Sequence, residues 1–291
     1  MSTEYLINTF YTQVKDQDLT FYFDADEYKI CVVLDGHGKN GNEFVNKIKD
    51  KVIEKVKSFD FSQPLSNQIN TMCITIDDEL KHPMYNYTGS TMTLVFLSNN
   101  KMIVVNIGDS DVYIQTDVLT KLSSNTSLIE KNEHYRITQT SNKSEIVYDS
   151  RAGLDYETKV RDIDGNLVPR NSKFHYVKNR MGDSAIYLRV YSEDIKNYQR
   201  LNMGRSIGDY FLKQYGVSNI PDIQEYPRPP KGSQLLIASD GFWDSWTLGE
   251  LQETLQDPTK RFIIHQISNE LSKKYFGDGN GDDNSLIHII F

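Results

Sequence analysis

Acidic residues stand beside four short apolar runs of the sequence, where strand-like segments end or begin. They follow the first three runs and precede the last one: Asp35, Asp109, Asp240 and the pair Asp282-Asp283. If the last strand runs antiparallel to its neighbours, all four positions can meet at one edge of the sheets. Carboxylates packed together repel one another and raise each other's pKa, so such a cluster normally implies a cation. Ligands that are all oxygen, without His or Cys, favour Mg²⁺ or Mn²⁺ over zinc.

Each acidic position is by itself more typical of a turn than of a ligand. Asp-Gly after a strand is a common turn signal, and residues 282–284 could simply begin a strand. Residues 36–41 (GHGKNG) also match the GxGxxG fingerprint of dinucleotide-binding proteins, but the βαβ unit that this fingerprint needs is missing. As an anion-binding turn before a helix, the segment still makes physical sense. His37 differs from the other histidines because it stands between a candidate ligand and a glycine.

The elements that must position these residues follow from the apolar periodicity. Nearly continuous or alternating apolar runs predict strands at residues 28–34, 92–97, 101–107, 111–115, 185–191, 234–238 and 285–291. Apolar residues at helical spacing predict helices at residues 42–59, 65–80, 248–256 and 260–275. Turn signals lie at residues 89–91 (GST) and 164–166 (DGN). No repeat or Pro- or Gly-rich linker interrupts the chain, so we expect a single domain over residues 1–291, with a variable flap or insertion at about 121–203.

The charge of the chain excludes some classes of partner. The sequence has 40 Asp and Glu against 32 Lys and Arg, whereas binding to nucleic acid needs a concentrated basic footprint. A basic excess occurs only at residues 121–200, which hold 14 Lys and Arg against 11 Asp and Glu. No apolar run is long enough for a membrane-spanning helix, and we expect no secretory or transit signal. Cys31 and Cys73 lie in apolar patterns typical of reduced core thiols, so we expect a cytoplasmic protein.

Six short motifs follow one another along the chain. They are Asp35-Gly36-His37-Gly38, Gly89-Ser90-Thr91, Asn106-Ile107-Gly108-Asp109-Ser110, Arg205-Ser206-Ile207-Gly208-Asp209, Ala238-Ser239-Asp240-Gly241-Phe242-Trp243-Asp244 and Asp283-Asn284. Each is weak alone, but in this order they resemble the motif series of the metal-dependent Ser/Thr protein phosphatases, the type 2C or PPM family. The resemblance runs from about residue 17 to the last residue. It implies an α+β fold, a four-layer α-β-β-α sandwich with a two-metal centre at one end of the central sheets.

By position, the resemblance implies a set of metal ligands. Asp35 would bridge two ions of Mg²⁺ or Mn²⁺, and the carbonyl of Gly36 would bind one of them. Asp240 and Asp283 would hold the other ion. Asp109 matches the family's ligand for a third, weaker ion.

The same resemblance implies supporting residues and a reaction. Gln17-Asp18 falls where the family has an N-terminal Glu/Gln-Asp pair, whose Asp supports the metal shell. A metal-activated water would hydrolyse phosphoserine or phosphothreonine in a protein substrate, with Asp35 on the metals and His37 as the general acid for the leaving alkoxide. The family default is a monomer. The alternative function is a catalytically weak phosphatase-like module that binds a phosphoprotein or a regulator.

The sequence departs from the family pattern at three places. Gln13 stands where the family carries a phosphate-binding Arg, and the first 120 residues contain no Arg. Lys39 and Lys15 are the candidates to bind phosphate instead, from their position alone. Asp111 follows the GDS motif where the family usually has Arg, and residues 121–126 (KLSSNT) replace an Asp-His pair. The basic segment after them either attracts acidic phosphoproteins or is a solvated insertion without a role.

Overall fold

The structure is a computed structural model that describes residues 5–124, 126–128, 130–140, 145–149, 159–161, 167–169, 185–277 and 281–291. Its strands in chain order are β1 (Leu6–Thr12), β2 (Asp18–Ala25), β3 (Tyr28–His37), β4 (Gly89–Ser90), β5 (Met92–Leu97), β6 (Lys101–Ile107), β7 (Asp111–Gln115), β8 (Leu119–Lys121), β9 (Glu145–Asp149), β10 (Lys159–Arg161), β11 (Leu167–Pro169), β12 (Ala185–Ser192), β13 (Asn197–Leu201), β14 (Ile207–Gly208), β15 (Asp222–Pro227), β16 (Gln234–Ala238) and β17 (Asn284–Ile290). The helices are α1 (Gly41–Val56), α2 (Leu65–Glu79), α3 (Lys131–Thr140), α4 (Tyr210–Lys213), α5 (Asp240–Trp243), α6 (Leu248–Gln256) and α7 (Ile264–Phe276), with short 3₁₀ helices at Pro83–Tyr85 and Arg261–Ile263.

Two large antiparallel sheets form the centre of the molecule. The first has the strand order β1-β17-β16-β7-β8. The second has the order β14-β4-β3-β5-β6-β15, and β2 also pairs with β3. Strand β3 is long enough to pair with several strands. Its residues 28–35 pair with β2, and Gly36 and His37 pair with β4. The motif residues of β3 therefore lie at the end of the second sheet where β4 and β14 join it.

Alternation along the strands sorts apolar side chains into separate cores, since successive residues of a strand point to opposite faces. In β3, Val32 and Leu34 pack with residues of α1 and α2, whereas Cys31 and Val33 pack with residues of the first sheet. On the far side of the first sheet, Leu236 packs with residues of α5, α6 and α7. The layers are thus helix, sheet, sheet and helix. The predicted α+β four-layer sandwich is confirmed.

Most of the predicted elements are confirmed. The strands at residues 92–97, 101–107, 111–115 and 234–238 and the helix at 248–256 have the predicted bounds. The strand predicted to end at residue 34 continues to His37, and the first predicted helix ends at Val56 rather than at residue 59. The prediction of a turn at residues 89–91 was wrong. Residues Gly89 and Ser90 form β4, because they bridge the end of β3 to β14 by backbone pairing.

The insertion at residues 121–203 contains a small sheet of its own, with the strand order β13-β12-β9. Its apolar side chains form a further core with residues of α3 and α4. The strand predicted at residues 185–191 is confirmed as β12. The turn predicted at residues 164–166 lies outside the described residues. The organisation of the whole chain as one domain stays a prediction.

Cys31 and Cys73 are both buried free thiols, as their apolar surroundings in the sequence predict. Burial raises the pKa of Cys31 to about 12 and also raises that of Cys73, so both sulfurs are protonated at neutral pH. Among the helices that the structure describes, none combines the length and the apolar character needed to cross a membrane.

Candidate active site

A cavity of about 460 Å³ opens at the end of the large sheets. It lies where β3 ends and where α5 follows β16, next to the residues that precede β17. Because β16 and β17 are antiparallel, the end of one strand adjoins the start of the other. Residues from distant parts of the sequence meet around the cavity, among them Lys15, Gln17, Asp35, Gly36, His37, Arg200, Asp209, Asp240 and Asp282. The predicted meeting of strand-end acids at one edge is confirmed for the three that line the cavity.

The end of β3 is held in place by neighbouring motifs. The backbone N–H of Asp35 donates to the hydroxyl of Thr91 at 3.0 Å, and the Asp35 carbonyl accepts from the Thr91 N–H at 2.9 Å. The Thr91 hydroxyl lies 2.7 Å from that of Ser110. The N–H of Gly36 donates to the carbonyl of Gln17 at 3.1 Å, and a side chain at Gly36 would collide with that carbonyl. The separate motifs thus orient one another around Asp35.

Four carboxylates approach one another beside the cavity. Burial raises the pKa of Asp35 well above its usual value, and the charges of Asp18 and Asp240 raise it further. Burial is also the main reason that the pKa values of Asp18 and Asp109 rise to about 7 and that of Asp240 to about 6. Within the described part of the chain, Asp18 Oδ2 and Asp109 Oδ1 are buried without a hydrogen-bond partner. Lys15 lowers the pKa of Asp240 and His37 lowers that of Asp109, but these positive charges do not offset the burial and the mutual repulsion of the four carboxylates.

The two adjacent acids before β17 have different surroundings. The buried carboxylate of Asp283 accepts five backbone N–H bonds of 2.5–3.3 Å from residues 14–18. Burial acts to raise the pKa of Asp283, but these hydrogen bonds outweigh it and the pKa is lowered. Asp282 is the acid that lines the cavity, where its Oδ2 lies 2.6 Å from the ammonium of Lys15. The ligand role implied for Asp283 stays a prediction, whereas Asp282 is the member of the pair that the structure brings to the cavity.

His37 has a charged partner, Asp209, for which the sequence motifs indicate no role. Its Nε2 lies 2.7 Å from Oδ2 of Asp209, a residue that is only 3% exposed. Burial opposes the charge of both groups, but their mutual attraction outweighs it, so the pKa of His37 is raised and that of Asp209 is lowered. Both shifts favour a pair of imidazolium and carboxylate. Asp209 belongs to a quoted motif, but no sequence signal paired it with His37.

The loop that carries Asp209 is anchored from behind by Asp77 of α2. The carboxylate of Asp77 accepts from the Gly208 N–H at 2.7 Å and from the Asn219 amide at 2.8 Å. Asp209 itself has a φ of 49°, in the left-handed region that Asp and Asn tolerate better than other side chains. On the neighbouring strand, a Cβ at Gly89 would overlap the Asp209 carboxylate. The anchored loop and the bare glycine together keep this carboxylate against the imidazole.

The two candidate phosphate-binding lysines lie in different places. Lys15 lines the cavity, and its pKa is raised because its bond to Asp282 and the nearby acids outweigh the effect of burial. Lys39 is exposed in the turn after β3 and is not part of the cavity lining. Arg200 of β13 does line the cavity, although the sequence analysis did not single it out. Among the described residues, Lys15 and Arg200 are thus the lysine and the arginine that line this cavity, beside His37.

Two of the departures from the family pattern contact each other. Asp111 Oδ2 lies 2.7 Å from the ammonium of Lys121, and its Oδ1 accepts from the Ser123 hydroxyl at 2.7 Å. In the same segment, the Thr126 hydroxyl donates to the Gly108 carbonyl. An acid and a lysine therefore pair where the family has Arg and an Asp-His pair. The contacts of Lys121, Ser123 and Thr126 hold the strand end that leads to the buried carboxylate of Asp109.

Comparisons with known proteins agree with these observations. The chain matches the family model described as Protein phosphatase 2C over residues 21–282. It is 22% identical over 269 residues to Probable protein phosphatase 2C 72 of Arabidopsis thaliana, which covers 86% of this chain and 72% of that protein. It is 25% identical over 232 residues to Probable protein phosphatase 2C 61 of the same plant, which covers 76% of this chain and 62% of that protein.

Solved structures share the fold. A serine-threonine phosphatase 2C from Toxoplasma gondii superimposes with a TM-score of 0.71 at 16% identity, over 98% of this chain and 94% of that one. The catalytic domain of the serine/threonine protein phosphatase PstP, solved in complex with two manganese ions, has a TM-score of 0.55 at 13% identity, over 99% of this chain and 98% of that one. At these identities the structures establish the fold, while the family model spans most of the sequence. The chain belongs to the protein phosphatase 2C family.

Proposed function

We propose that this chain hydrolyses phosphoserine and phosphothreonine esters in proteins. The observation that carries the proposal is a single cavity that joins the carboxylates of Asp35 and Asp240 to the His37–Asp209 pair. A cavity of about 460 Å³ has room for a phosphorylated side chain. Membership of a family whose named relatives are phosphatases supports the same activity.

The donor set beside the cavity fits hard divalent ions, which we propose to be Mg²⁺ or Mn²⁺. The partnerless oxygens of Asp18 and Asp109 are groups that a cation would satisfy. Among the described residues, no group of three or more His, Cys, Asp or Glu side chains is arranged to hold a metal ion. The assignment of the ligands therefore rests on the motifs. When bound, such ions supply the Lewis acidity that activates water. The residues proposed to hold two ions and a third, weaker one are Asp35, the Gly36 carbonyl, Asp240, Asp283 and Asp109, with Gln17 and Asp18 in support.

His37 is the proposed general acid. A serine or threonine alkoxide is a poor leaving group, so a proton delivered to its oxygen in the transition state lowers the barrier. His37 and Asp209 both line the cavity, and the carboxylate favours the protonated imidazole. Asp209 orients the ring through its 2.7 Å hydrogen bond to Nε2.

Lys15 is the better placed of the two candidates to bind the phosphate. Its ammonium is held at the cavity by Asp282, whereas Lys39 lies outside the lining. Lys15→Ala should raise the KM for a phosphoserine peptide by about two- to fivefold, the loss expected of one half-exposed ionic contact. Lys39→Ala is the matched control, with the same change of charge, and should leave KM unchanged. The reverse result would assign the phosphate contact to Lys39.

The deciding experiment is an assay of a phosphoserine peptide with and without Mn²⁺. We expect turnover that disappears with a chelator and in Asp240→Asn. Asp26→Asn, at an exposed turn, is the matched control and should keep full activity. A silent wild-type protein at millimolar Mn²⁺ would contradict the proposal and favour a phosphatase-like binding module.

A further inference from the structure

One side chain of the insertion contacts the group of buried acids. Asn202, which directly follows β13, lines the cavity. Its side-chain amide donates a hydrogen bond of 2.8 Å to Oδ2 of Asp109, a residue 93 positions away in the sequence. Neither the proposed ligand set nor the His37–Asp209 pair accounts for this contact. It joins the cavity wall that the insertion forms to an acid that lies between β6 and β7.

The hydrogen bond occupies one oxygen of the Asp109 carboxylate. Within the described part of the chain, the other oxygen, Oδ1, is buried and has no hydrogen-bond partner. Burial raises the pKa of Asp109 most, and the charge of Asp240 raises it further, so the two carboxylates are close neighbours. Carboxylates that hold metal ions are themselves commonly hydrogen-bonded, which fixes the orientation of the ligating atom. Asp109 has this arrangement, because Oδ2 is held and Oδ1 is left for an ion.

The backbone around Asn202 is fixed by the first residues of the insertion. The carbonyl of Asn202 accepts from the N–H of Leu128 at 3.2 Å, and the N–H of Gly204 donates to the carbonyl of Thr126 at 2.7 Å. The hydroxyl of Thr126 in turn donates to the carbonyl of Gly108, which precedes the acid. The two ends of the insertion are thus attached to each other and to the backbone beside the carboxylate. The amide of Asn202 therefore approaches the acid from a fixed direction.

The chemistry of an amide suits this position. An amide N–H is a neutral donor, so it orients a carboxylate without adding a positive charge. A lysine or an arginine in its place would form an ion pair with Asp109 and compete with a metal cation for the same oxygens. A divalent ion at Oδ1 would not displace the bond from Asn202, because that bond uses Oδ2. The contact is therefore compatible with an ion at this acid.

We propose that Asn202 is a positioning residue for Asp109 and sets the affinity of the third, weaker divalent ion. This inference rests on the proposed function, because the ion and its ligand Asp109 are part of that proposal. Asn202 holds Oδ2 and so keeps Oδ1 in the orientation in which it binds the ion. The insertion then contributes to the metal centre as well as to the cavity wall.

The test is a titration of the full chain with Mn²⁺, in which electron paramagnetic resonance measures the concentration of the free ion. We expect the wild-type protein to show tight sites and one weaker site, and we expect Asp109→Asn to lose the weaker one. Asn202→Ala should raise the dissociation constant of the weaker site by about tenfold, the lower end of the effect of removing a residue that orients a metal ligand. The dissociation constants of the tight sites should not change.

A second variant separates the hydrogen bond from the space that the side chain fills. Asn202→Leu keeps a branched side chain but removes the donor, so it should weaken the ion as Asn202→Ala does, and it serves if the alanine variant does not fold. The matched control is Asn197→Ala, the same exchange at the exposed start of β13, where Asn197 accepts from the N–H of Tyr198. It should leave every dissociation constant unchanged. Thermal unfolding without Mn²⁺ shows which variants are folded.

Three results would overturn the inference. The first is a weaker site whose affinity is the same in the wild-type protein and in both Asn202 variants. The second is a wild-type protein without any weaker site that Asp109→Asn removes. The third is an equal loss of affinity at all sites, because Asn202 would then support the whole centre rather than Asp109.

Hydrolysis separates this inference from the proposed function. It is measured on a phosphoserine peptide, at a Mn²⁺ concentration that saturates every variant. A protein that binds the ions as expected but hydrolyses nothing would support the role of Asn202 and contradict only the proposed activity. A protein that is active, but whose weaker site does not depend on Asn202, would contradict only the inference.

Discussion

The His37–Asp209 pair predicts a dependence of the rate on the leaving group. Asp209→Asn removes one charge and keeps the shape of the side chain, and Asn tolerates the φ of 49° at this position. The 2.7 Å bond to the imidazole is charge-assisted, and such bonds contribute about 1.5–3 kcal/mol. If this energy stabilises protonated His37 in the transition state, kcat on a phosphoserine peptide falls by about 10- to 150-fold.

The assay compares that peptide with p-nitrophenyl phosphate, whose phenolate leaves without needing a proton. Asp209→Asn should slow the aryl ester by less than about threefold, because general acid catalysis contributes little there. Asp26→Asn is the matched control, since Asp26 has a φ of 52° in an exposed turn before β3, at the other end of the strand from His37. It makes the same exchange of Asp for Asn and should leave both rates unchanged.

Equal losses on the two substrates would refute proton donation by the His37–Asp209 pair. A double-mutant cycle adds a second check: in a His37→Gln background, Asp209→Asn should cost little more, because the two residues act as a unit. Losses that multiply in the double variant would instead show that Asp209 acts independently of the imidazole. Thermal unfolding of each variant separates these effects from loss of the fold.

Three further predictions concern residues around the site. Gly89→Ala should slow hydrolysis of the phosphoserine peptide about tenfold or more, because the added methyl group displaces the Asp209 carboxylate that pairs with the His37 imidazole. A rate within about twofold of the wild-type rate would exclude this crowding. Glu133→Gln should lower the free energy of unfolding in urea by about 2 kcal/mol at pH 7, since buried Glu133 bonds to Arg136 and Arg205. Burial acts to raise the pKa of Glu133, but the arginines outweigh it and lower the pKa below the usual 4.5. The stabilisation by the ion pairs is therefore present above pH 4.5, and the difference in unfolding free energy between variant and wild type should shrink as the pH falls through the lowered pKa. A difference that does not depend on pH would contradict the ion pairs. Asp283→Asn should speed amide hydrogen exchange at residues 14–18 by about tenfold, because it weakens the acceptor of five N–H groups, and unchanged exchange would show that other contacts hold the loop.

Much of the central fold follows from local patterns. The apolar run that begins at Tyr28 needs burial on both of its faces, and the structure buries it between the helices α1 and α2 and the first sheet. The two N-terminal strands were missed because their side chains are only partly buried and show no strong apolar run. Strand β1 forms because it pairs with β17 at the other end of the chain. A local sequence pattern does not predict pairing with a strand so distant in sequence.

In the candidate site, too, some residues follow from local sequence patterns and others depend on the tertiary structure. Asp35 and Asp240 could be predicted because Asp35 directly follows an apolar run and Asp240 follows one after a single serine, and a strand brings the residues at its end to the edge of the sheet. The strand pattern predicts Asp282 and Asp283 only as a pair before β17, and the family resemblance points to Asp283, whereas Asp282 is the one that lines the cavity. The five N–H groups that turn Asp283 towards residues 14–18 belong to a loop at the other end of the chain.

The sequence by itself determined the strongly apolar strands and helices, the acids at their ends and the resemblance to a phosphatase family, because these depend on residues close together in the chain. Only the tertiary structure decided which side chains meet. Asp209 reaches His37 across 172 residues because β4 pairs with both β3 and β14. Arg200 reaches the cavity because the edge of the insertion's small sheet lies against it. The first 120 residues contain no Arg, yet the fold places Arg200 at the cavity. Distance in space depends on strand pairing and burial rather than on separation in sequence.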